Sequence, residues 1–241
     1  MTIVIAPAKL TLSLKVTGVR DDGFHLIDAE MVSLDLHDVL TITEGESAMS
    51  VSGPFARGVP TDDNNLVTRA LQLCGKTAHI HIEKNIPHGG GLGGGSSDAA
   101  AVLRWAGYSD YVAASRLGAD IPFCMHGGRA RVTGIGEILE PLAFVPREIT
   151  LVVPPFGVST PAVYKAFDSI HAQHDGPNDL EPAAIAVEPQ LAQWRDRIRE
   201  ASGQIPVLAG SGATWWLDGA HPRIHEELSE ATVVVTHTRY S

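Results

Sequence analysis

Residues 86–101, IPHGGGLGGGSSDAAA, are the segment whose composition points most directly to chemistry, with six glycines in the seven positions 89–95. Glycine is favoured where the backbone must turn left-handed or come very close to another group. A helix-forming segment follows directly, and the amides at a helix N-terminus attract anions such as phosphate. The run therefore predicts a phosphate-binding loop. The alternative is a glycine turn that only packs a strand against a helix.

Three glycine-rich phosphate-binding devices compete for this segment. A P-loop requires a lysine directly after its last glycine, and this run continues with serine, which excludes it. The dinucleotide pattern GxGxxG is matched by Gly89, Gly91 and Gly94, with Asp110 as the ribose acid. That match carries little weight in so dense a glycine run, and the preceding HIHIEK alternates instead of being continuously apolar. We therefore favour a triphosphate held by backbone amides and by the N-terminus of the following helix.

The elements before the glycine run read mainly as strands. Residues 10–16 alternate apolar and polar side chains, which predicts a strand with one buried and one polar face, and Lys9 lies on the polar side. DVLTITEG and SAMSVSG predict a strand pair around Gly45, and AHIHIEKNI predicts a further strand. DNNLVTRALQLCGK predicts the first helix, capped by Asp63 or Asn64.

The elements after the glycine run alternate irregularly between helices and strands. SSDAAAVLRWAG, DYVAASRLGAD, TPAVYKAFDSIHAQ, EPQLAQWRDRIREA and HPRIHEELSEA predict helices, whereas RARVTGIGEILEPL, REITLVVPP, QIPVLAGSGATWWLDG and ATVVVTHTRY predict strands. Mostly amphipathic strands in this order favour an α+β protein with antiparallel sheets. A proline-rich segment near residues 147–157 predicts a boundary between a domain of residues 1–148 and a domain of residues 149–241.

Bulk composition limits the class of partner. The chain of 241 residues has a formal net charge of −10 and no basic stripe, so we expect no binding to nucleic acid. It has neither a signal peptide nor an apolar run of membrane-spanning length, so we expect no membrane association and a cytoplasmic location. Cys74 and Cys124 have no CxxC spacing and are expected to be reduced thiols. His79 and His81 read as surface residues rather than metal ligands. Monomer and homodimer both remain open.

Several motifs, in one order along nearly the whole chain, resemble the GHMP small-molecule kinases. PHGGGLGGGSSDAA resembles the central glycine motif, APAKLTLSLKVTGVRDDGFH the opening, LGADIPF the catalytic segment, and GIGEILEPL, NDLEP and LAGSGATWW later motifs. The resemblance implies a GHMP kinase fold with an N-terminal ribosomal-S5-like α/β domain and a C-terminal ferredoxin-like domain. It also implies ATP and Mg²⁺ as cofactors. The implied reaction transfers the ATP γ-phosphate to a cytidine-diphosphate-linked methylerythritol, in the non-mevalonate route to isoprenoid precursors.

The resemblance implies a catalytic pair. Asp120 would accept the proton of the substrate hydroxyl, and Lys9 would stabilise the alkoxide that forms. Without the resemblance, Asp120 reads equally well as a helix N-cap and Lys9 as a surface residue. Phosphoryl transfer needs mainly positioning and charge neutralisation, so this pair with backbone amides and Mg²⁺ would suffice.

The resemblance also implies the nucleotide-binding residues. Asn65, Leu66 and Lys84 would contact the adenine and ATP side, although a helix cap, a core residue and a surface residue are the alternatives. Ser97 is the candidate Mg²⁺ ligand. The glycine loop itself would contribute Pro87, Gly89, Gly90, Gly91, Leu92, Gly93, Gly94, Gly95, Ser96 and Ser97.

The implied substrate-binding residues lie far from the loop in sequence. Thr11 stands where the family usually has asparagine, and Phe24-His25 match a Tyr-His pair. An aromatic face and an imidazole suit a cytosine, with Tyr164 as the opposite wall, although aromatic core residues are the alternative. The second glycine turn, residues 210–213, would fold back toward the phosphates.

Other functions remain open at this point. One is a GHMP kinase acting on another small alcohol, such as homoserine or a mevalonate. Another is a catalytically weak nucleotide-binding homologue, because Thr11 departs from the family and the segment 101–118 is shorter than the family norm. A dinucleotide-dependent oxidoreductase is the most distant alternative.

Overall fold

The computed structural model describes residues 1–170 and 175–240, and ten strands and eight helices lie within them. The strands are β1 (Thr2–Val19), β2 (His25–Glu44), β3 (Ala48–Ser52), β4 (Ala78–Glu83), β5 (Arg129–Gly134), β6 (Ile138–Pro141), β7 (Glu148–Val153), β8 (Val207–Leu208), β9 (Trp215–Asp218) and β10 (Thr232–His237). The helices are α1 (Leu66–Cys74), α2 (Gly94–Trp105), α3 (Tyr111–Ser115), α4 (Ile121–His126), α5 (Thr160–Ile170), α6 (Glu181–Val187), α7 (Gln190–Ser202) and α8 (Ile224–Glu227).

A six-stranded sheet is built around the long strand β2. One edge of β2 pairs antiparallel with β1 over nearly its whole length. The other edge pairs with β5 near its start and with β4 near its end. β3 pairs with β4 and β6 pairs with β5, both beyond β2 on that same side, and β1 forms the opposite edge of the sheet. Helix α2 packs against α1, α4 and β1, so the segment that follows the glycine run is held by three elements.

The predicted strand pair around Gly45 is wrong. β4 lies between β2 and β3, and β3 runs parallel to β4. The side chains of Ile80 and Ile82 are fully buried, which suits β4 to a central position, whereas β3 is half-exposed at the edge. A parallel neighbour requires a crossover connection, and the chain supplies one through α1. The turn at Gly45 does reverse the chain, but its residues cannot distinguish a hairpin from two antiparallel strands with a third strand between them.

Strand β1 has no exposed polar side around Lys9 and Thr11. Lys9 and Thr11 are buried, as are the apolar residues between and beside them. Leu10 and Leu12 pack in a cluster that also contains Leu151 of the second sheet, so one face of β1 is covered by the C-terminal half of the chain. The strand was predicted correctly, but both of its faces are buried over residues 8–12, and the expected exposed polar side is present only further along, at Lys15 and Thr17.

The second sheet is fully antiparallel, with the strand order β10-β7-β9-β8. It begins at Glu148, next to the predicted boundary, although the division into residues 1–148 and 149–241 stays a prediction. The expected α+β architecture with mainly antiparallel sheets is confirmed. The end of the predicted helix TPAVYKAFDSIHAQ, residues 171–173, lies outside the described residues.

Asn178 connects the two halves of the chain. Its buried side chain donates from Nδ2 to the carbonyls of Leu208 and Gly210, at 2.9 and 2.7 Å. Directly before it, the carbonyl of Pro177 accepts a 2.8 Å hydrogen bond from Leu14 N of β1. The motif NDLEP therefore joins β1 to the second glycine turn.

Two further expectations have clear outcomes. Cys74 and Cys124 are both free thiols, as predicted. The N-cap of α1 is Asn65, whose side-chain oxygen accepts from Val67 N, and not Asp63 or Asn64.

Within residues 1–170 and 175–240, none of the helices has the length and apolar character needed to cross a bilayer.

Candidate active site

The glycine run forms a loop that leads into an uncapped helix. Gly93 occupies the N-cap position of α2 with a φ of +68°, and no side chain caps the helix. That backbone conformation favours glycine, because a Cβ would crowd the following carbonyl. The start of α2 therefore keeps its positive end and its first amides free of side-chain acceptors, which is the arrangement that attracts phosphate.

The loop touches β1 without any side chain of its own in between. A Cβ at Gly93 would lie 2.6 Å from Lys9 Cγ, which is far inside van der Waals contact. The backbone of Lys9 donates a 3.0 Å hydrogen bond to the carbonyl of Leu92. The path of the glycine loop therefore determines where the Lys9 side chain can lie.

The second glycine turn packs against the first, backbone on backbone. A Cβ at Gly212 would lie 2.4 Å from the carbonyl oxygen of Gly90, so a larger residue cannot fit there. Thr214 N donates a 3.2 Å hydrogen bond to the same Gly90 oxygen. The turn at residues 210–213 thus folds back onto the glycine loop.

Lys9 and Asp120 meet beside these two turns. Lys9 Nζ lies 3.2 Å from Asp120 Oδ2, with 7% of the lysine and 30% of the aspartate side chain exposed. The same ammonium donates a 3.3 Å hydrogen bond to Thr11 Oγ1. Asp120 stands at the N-cap position of α4, yet its side chain makes no capping hydrogen bond. Its carboxylate is therefore available to Lys9 and to a ligand.

A cavity of about 270 Å³ opens at this pair. Its wall combines β1, the start of β2, the glycine loop, the turn before α4, α5 and the second glycine turn. Seven of the residues that the sequence singled out for binding or catalysis line it: Lys9, Thr11, His25, Gly91, Ser96, Asp120 and Tyr164.

The aromatic end of the cavity is formed by His25 and Tyr164. Their ring centroids lie 4.8 Å apart, and His25 Nε2 lies 2.6 Å from Asp168 Oδ1. Burial, and to a lesser extent the charge of Asp120, raises the pKa of Tyr164 to about 12, so its hydroxyl stays neutral at physiological pH. Asp168 holds the imidazole in a fixed orientation against the tyrosine.

Phe24 does not join this aromatic cluster. It is 56% exposed, and its ring centroid lies 5.5 Å from the guanidinium carbon of Arg20. Phe24 is not among the residues that line the cavity, whereas His25 lines it and packs on Tyr164. The expected sandwich of a base between Phe24 and Tyr164 stays a prediction.

Lys84 was expected to contact the nucleotide or to lie at the surface, but it is buried. Its ammonium is buried and bonded to two carboxylates, Asp38 Oδ2 and Asp98 Oδ2, the latter at 2.6 Å. Burial opposes the charge of Lys84, but the two carboxylates outweigh it and raise its pKa. Burial and the nearby charge of Asp38 raise the pKa of Asp98, against the opposing effect of Lys84. The ammonium therefore has partners before any nucleotide binds.

Three more of the expected nucleotide contacts have structural partners. Asn65 uses its side chain to cap α1 and to donate to the Pro60 carbonyl at 2.7 Å. Leu66 lies beside the first turn of α2, with Cδ1 3.7 Å from where a Cβ of Gly95 would stand. Ser97 is fully buried, and its hydroxyl donates a 2.6 Å hydrogen bond to the carbonyl of Pro7.

Comparison with known proteins gives one consistent result. Residues 65–128 match the GHMP kinases N terminal domain. The chain is 44% identical over 233 residues to a 4-diphosphocytidyl-2-C-methyl-D-erythritol kinase of Paracoccus denitrificans, covering 87% of this chain and 84% of the relative. It is 38% identical to the kinase of that name from Cereibacter sphaeroides, covering 89% and 88%. The chain belongs to the 4-diphosphocytidyl-2-C-methyl-D-erythritol kinase family.

Solved structures agree with this assignment. A crystal structure of 4-(cytidine 5'-diphospho)-2C-methyl-D-erythritol kinase superposes with a TM-score of 0.79 at 30% identity, covering 100% of both chains. The L. major mevalonate kinase in complex with R-mevalonate superposes with a TM-score of 0.71 at 15% identity, covering 100% of this chain and 97% of its own. The latter likeness concerns the fold alone. The enzyme is a small-molecule kinase with the GHMP kinase fold.

Three residues of the site escaped prediction from the sequence. Asp168 lies four positions after Tyr164 on α5, a spacing that places both on one helix face, so the pair could have been found. Asp38 lies in β2 together with other acidic residues such as Asp28 and Asp35, so the sequence carries no signal that singles it out. Asn178 lies in a motif that was recognised without a role for the residue.

The contact between Gly93 and Lys9 can be tested with Gly93→Ala. We expect a loss of kcat/KM of at least about tenfold, because the added Cβ displaces the lysine side chain. Gly107→Ala is the matched control, since Gly107 has a φ of +69° and nothing within 4 Å of an added Cβ. Both variants carry the same backbone strain, so equal kinetic losses in the two would contradict the role given to the contact.

Proposed function

We propose that this enzyme transfers the γ-phosphoryl group of ATP to the 2-hydroxyl of 4-diphosphocytidyl-2-C-methyl-D-erythritol. The observation that carries the proposal is the Lys9–Asp120 pair, with Nζ and Oδ2 3.2 Å apart, in a cavity lined by both glycine turns. The opposite end of the same cavity carries His25 and Tyr164. The names of the relatives at 38–44% identity agree with this substrate.

In the proposed reaction, Asp120 accepts the proton of the substrate hydroxyl on its carboxylate. The resulting alkoxide oxygen attacks the γ-phosphorus, the bond from that phosphorus to the β-phosphate oxygen breaks, and ADP leaves. Lys9 Nζ stabilises the negative charge on the attacking oxygen. It lies in a largely buried position, where a charge acts more strongly than in water. Backbone amides of the glycine loop and the N-terminus of α2 hold the triphosphate.

Mg²⁺ fits this site as an ion held mainly by the nucleotide. Among the described residues, no group of three or more His, Cys, Asp or Glu side chains could form a metal cage. Mg²⁺ needs none in kinases, since it keeps several waters and binds one or two protein oxygens together with substrate phosphates. Ser96 and Asp120 line the cavity, whereas Ser97 is fully buried and does not line it, so Ser96 replaces Ser97 as our candidate protein ligand. The ion supplies neutralisation of the phosphate charge.

We propose that His25 and Tyr164 bind the cytosine. A carboxylate only accepts hydrogen bonds, so Asp168 requires the proton of a neutral His25 on Nε2. Nδ1 then presents a lone pair, which complements the exocyclic amino group of cytosine. The phenol ring of Tyr164 offers a face for stacking.

The proposed setting is the cytoplasm, with the chain as a monomer or homodimer and no nucleic-acid or membrane partner.

A coupled ADP-release assay tests the substrate. We expect turnover with 4-diphosphocytidyl-2-C-methyl-D-erythritol and none with homoserine or mevalonate, measured in parallel with ATP and Mg²⁺. Turnover of homoserine or mevalonate alone would establish a different small-alcohol kinase. No turnover with any of the three would favour a nucleotide-binding homologue without activity.

Asp120→Asn tests the catalytic base. We expect kcat to fall by at least about 10²-fold, the usual contribution of general-base assistance, because an amide cannot accept the hydroxyl proton. Asp110→Asn is the control, since Asp110 is an exposed N-cap that accepts from Ala113 N at 2.9 Å. Near-normal turnover by Asp120→Asn would remove the assignment of Asp120.

A comparison of Tyr164→Leu with Phe24→Leu tests the base-binding wall. Stacking of a base on an aromatic ring contributes about 1–3 kcal/mol, so Tyr164→Leu should raise KM for the cytidylyl substrate roughly 5- to 150-fold. Phe24→Leu should leave that KM nearly unchanged, because Phe24 lies outside the cavity. The measurement is steady-state kinetics at saturating ATP, and a larger effect at Phe24 would restore it as the stacking residue.

A further inference from the structure

Three ionisable side chains are buried together at the base of the glycine loop. Asp38, Lys84 and Asp98 are at most 3% exposed. Lys84 Nζ donates to Asp38 Oδ2 and, at 2.6 Å, to Asp98 Oδ2. Charged groups of this kind are almost never fully buried unless they are paired, so the three depend on one another. We call them the buried triad.

The buried triad joins the two ends of the glycine loop. Lys84 directly follows the last residue of β4, where the chain leaves the sheet, and Asp98 lies in the second turn of α2, where the helix has begun. The chain between them, residues 86–93, is the loop itself. One ammonium thus bonds the entry of the loop to its exit.

Asp38 fixes the entry through the backbone as well. Its Oδ1 accepts hydrogen bonds from the backbone N–H groups of Asn85 and Ile86, the latter at 2.8 Å. Both residues lie between β4 and the first glycine. A single carboxylate on β2 therefore holds the lysine with one oxygen and the chain leading into the loop with the other.

The same arrangement leaves Lys84 poorly placed to bind a phosphate directly. A Cβ at Gly94 would stand 3.4 Å from Lys84 Nζ, so the ammonium lies against the first residue of α2. Both of its carboxylate partners are buried. Moving the ammonium to a phosphate would leave two buried carboxylates without their cation, which is strongly unfavourable.

We propose that the buried triad positions the glycine loop for ATP, and that Lys84 acts through the loop backbone and not as a ligand of the phosphates. The inference deepens the proposed function and rests on it only in requiring that the chain binds ATP. It assigns positioning roles to Asp38 and Asp98, and it changes the expected role of Lys84 from a direct contact with ATP to a positioning residue. Disturbing the triad should therefore weaken ATP binding and leave His25 and Tyr164, the residues proposed to bind the base of the second substrate, in place.

The first test is ATP binding by isothermal titration calorimetry with Asp98→Asn, which keeps the shape of the side chain. We expect the ATP dissociation constant to rise at least about tenfold, since a small displacement of a binding group is costly. The KM for the cytidylyl substrate should stay within about twofold. Unchanged ATP affinity in a folded Asp98→Asn protein would overturn the proposal, and so would an equal rise for both substrates.

The second test separates positioning from direct contact. Lys84→Met, Asp98→Asn and the double variant form a cycle in which ATP affinity is measured. Residues of one network are not additive, so the double variant should lose far less than the product of the two single losses. Independent losses that multiply would make Lys84 a separate phosphate ligand and overturn the proposal. If Lys84→Met does not fold, Lys84→Arg replaces it in the same cycle.

Glu30→Gln is the matched control for both tests. It breaks the Arg129–Glu30 ion pair, 2.8 Å between Nε and Oε1, on strands of the same sheet but away from the loop. ATP affinity should be unchanged in this variant. ATP binding is measured without the second substrate. A wrong assignment of the second substrate would therefore leave these measurements unaffected, and the two failures can be distinguished.

Discussion

The close approach of two glycine turns to strand β1 is the constraint on which the rest of the site depends. Gly93 brings the loop onto Lys9, and Gly212 brings the second turn onto Gly90, with no room for a Cβ at either position. Because backbone meets backbone there, Gly91 of the loop, Ser96 of α2 and Lys9 line one cavity. In the proposed reaction, the Lys9–Asp120 pair acts on a hydroxyl placed beside the triphosphate.

Two buried lysines illustrate how partners decide a role. Lys9 and Lys84 are both almost fully buried and both lie next to the glycine loop. Lys9 has one carboxylate partner, Asp120, which is itself partly exposed to the cavity, so the pair can meet a ligand. Lys84 has two buried carboxylate partners and is itself only 3% exposed. The first arrangement suits catalysis, and the second suits holding the loop in place.

Local patterns in the sequence predicted what depends on neighbours along the chain. The glycine loop with its following helix, the strand alternation of β1 and the α+β architecture all follow from short-range spacing. The parallel placement of β3 beside β4 could not be predicted, because it depends on the burial of Ile80 and Ile82 between strands distant in sequence. The burial of Lys9 and Lys84 escaped for the same reason, since the covering groups come from α4, α2 and β2. Motif matching singled out Phe24 and His25 equally, but only His25 lines the cavity, because side-chain direction depends on the local backbone and not on the motif.

Strand β1 is the element that both halves of the chain share. It pairs with β2, supplies Lys9 and Thr11 to the cavity, and packs Leu10 and Leu12 against the second sheet. A few residues further on, Leu14 bonds to the chain beside Asn178, which in turn holds the carbonyl of Gly210 at the second glycine turn. Lys9, the proposed catalytic lysine, and the two turns around it are therefore held by hydrogen bonds and close contacts that start from this one strand. In the proposed function, a protein with a net charge of −10 binds a triphosphate through local amides and one lysine, because its overall charge does not attract an anion.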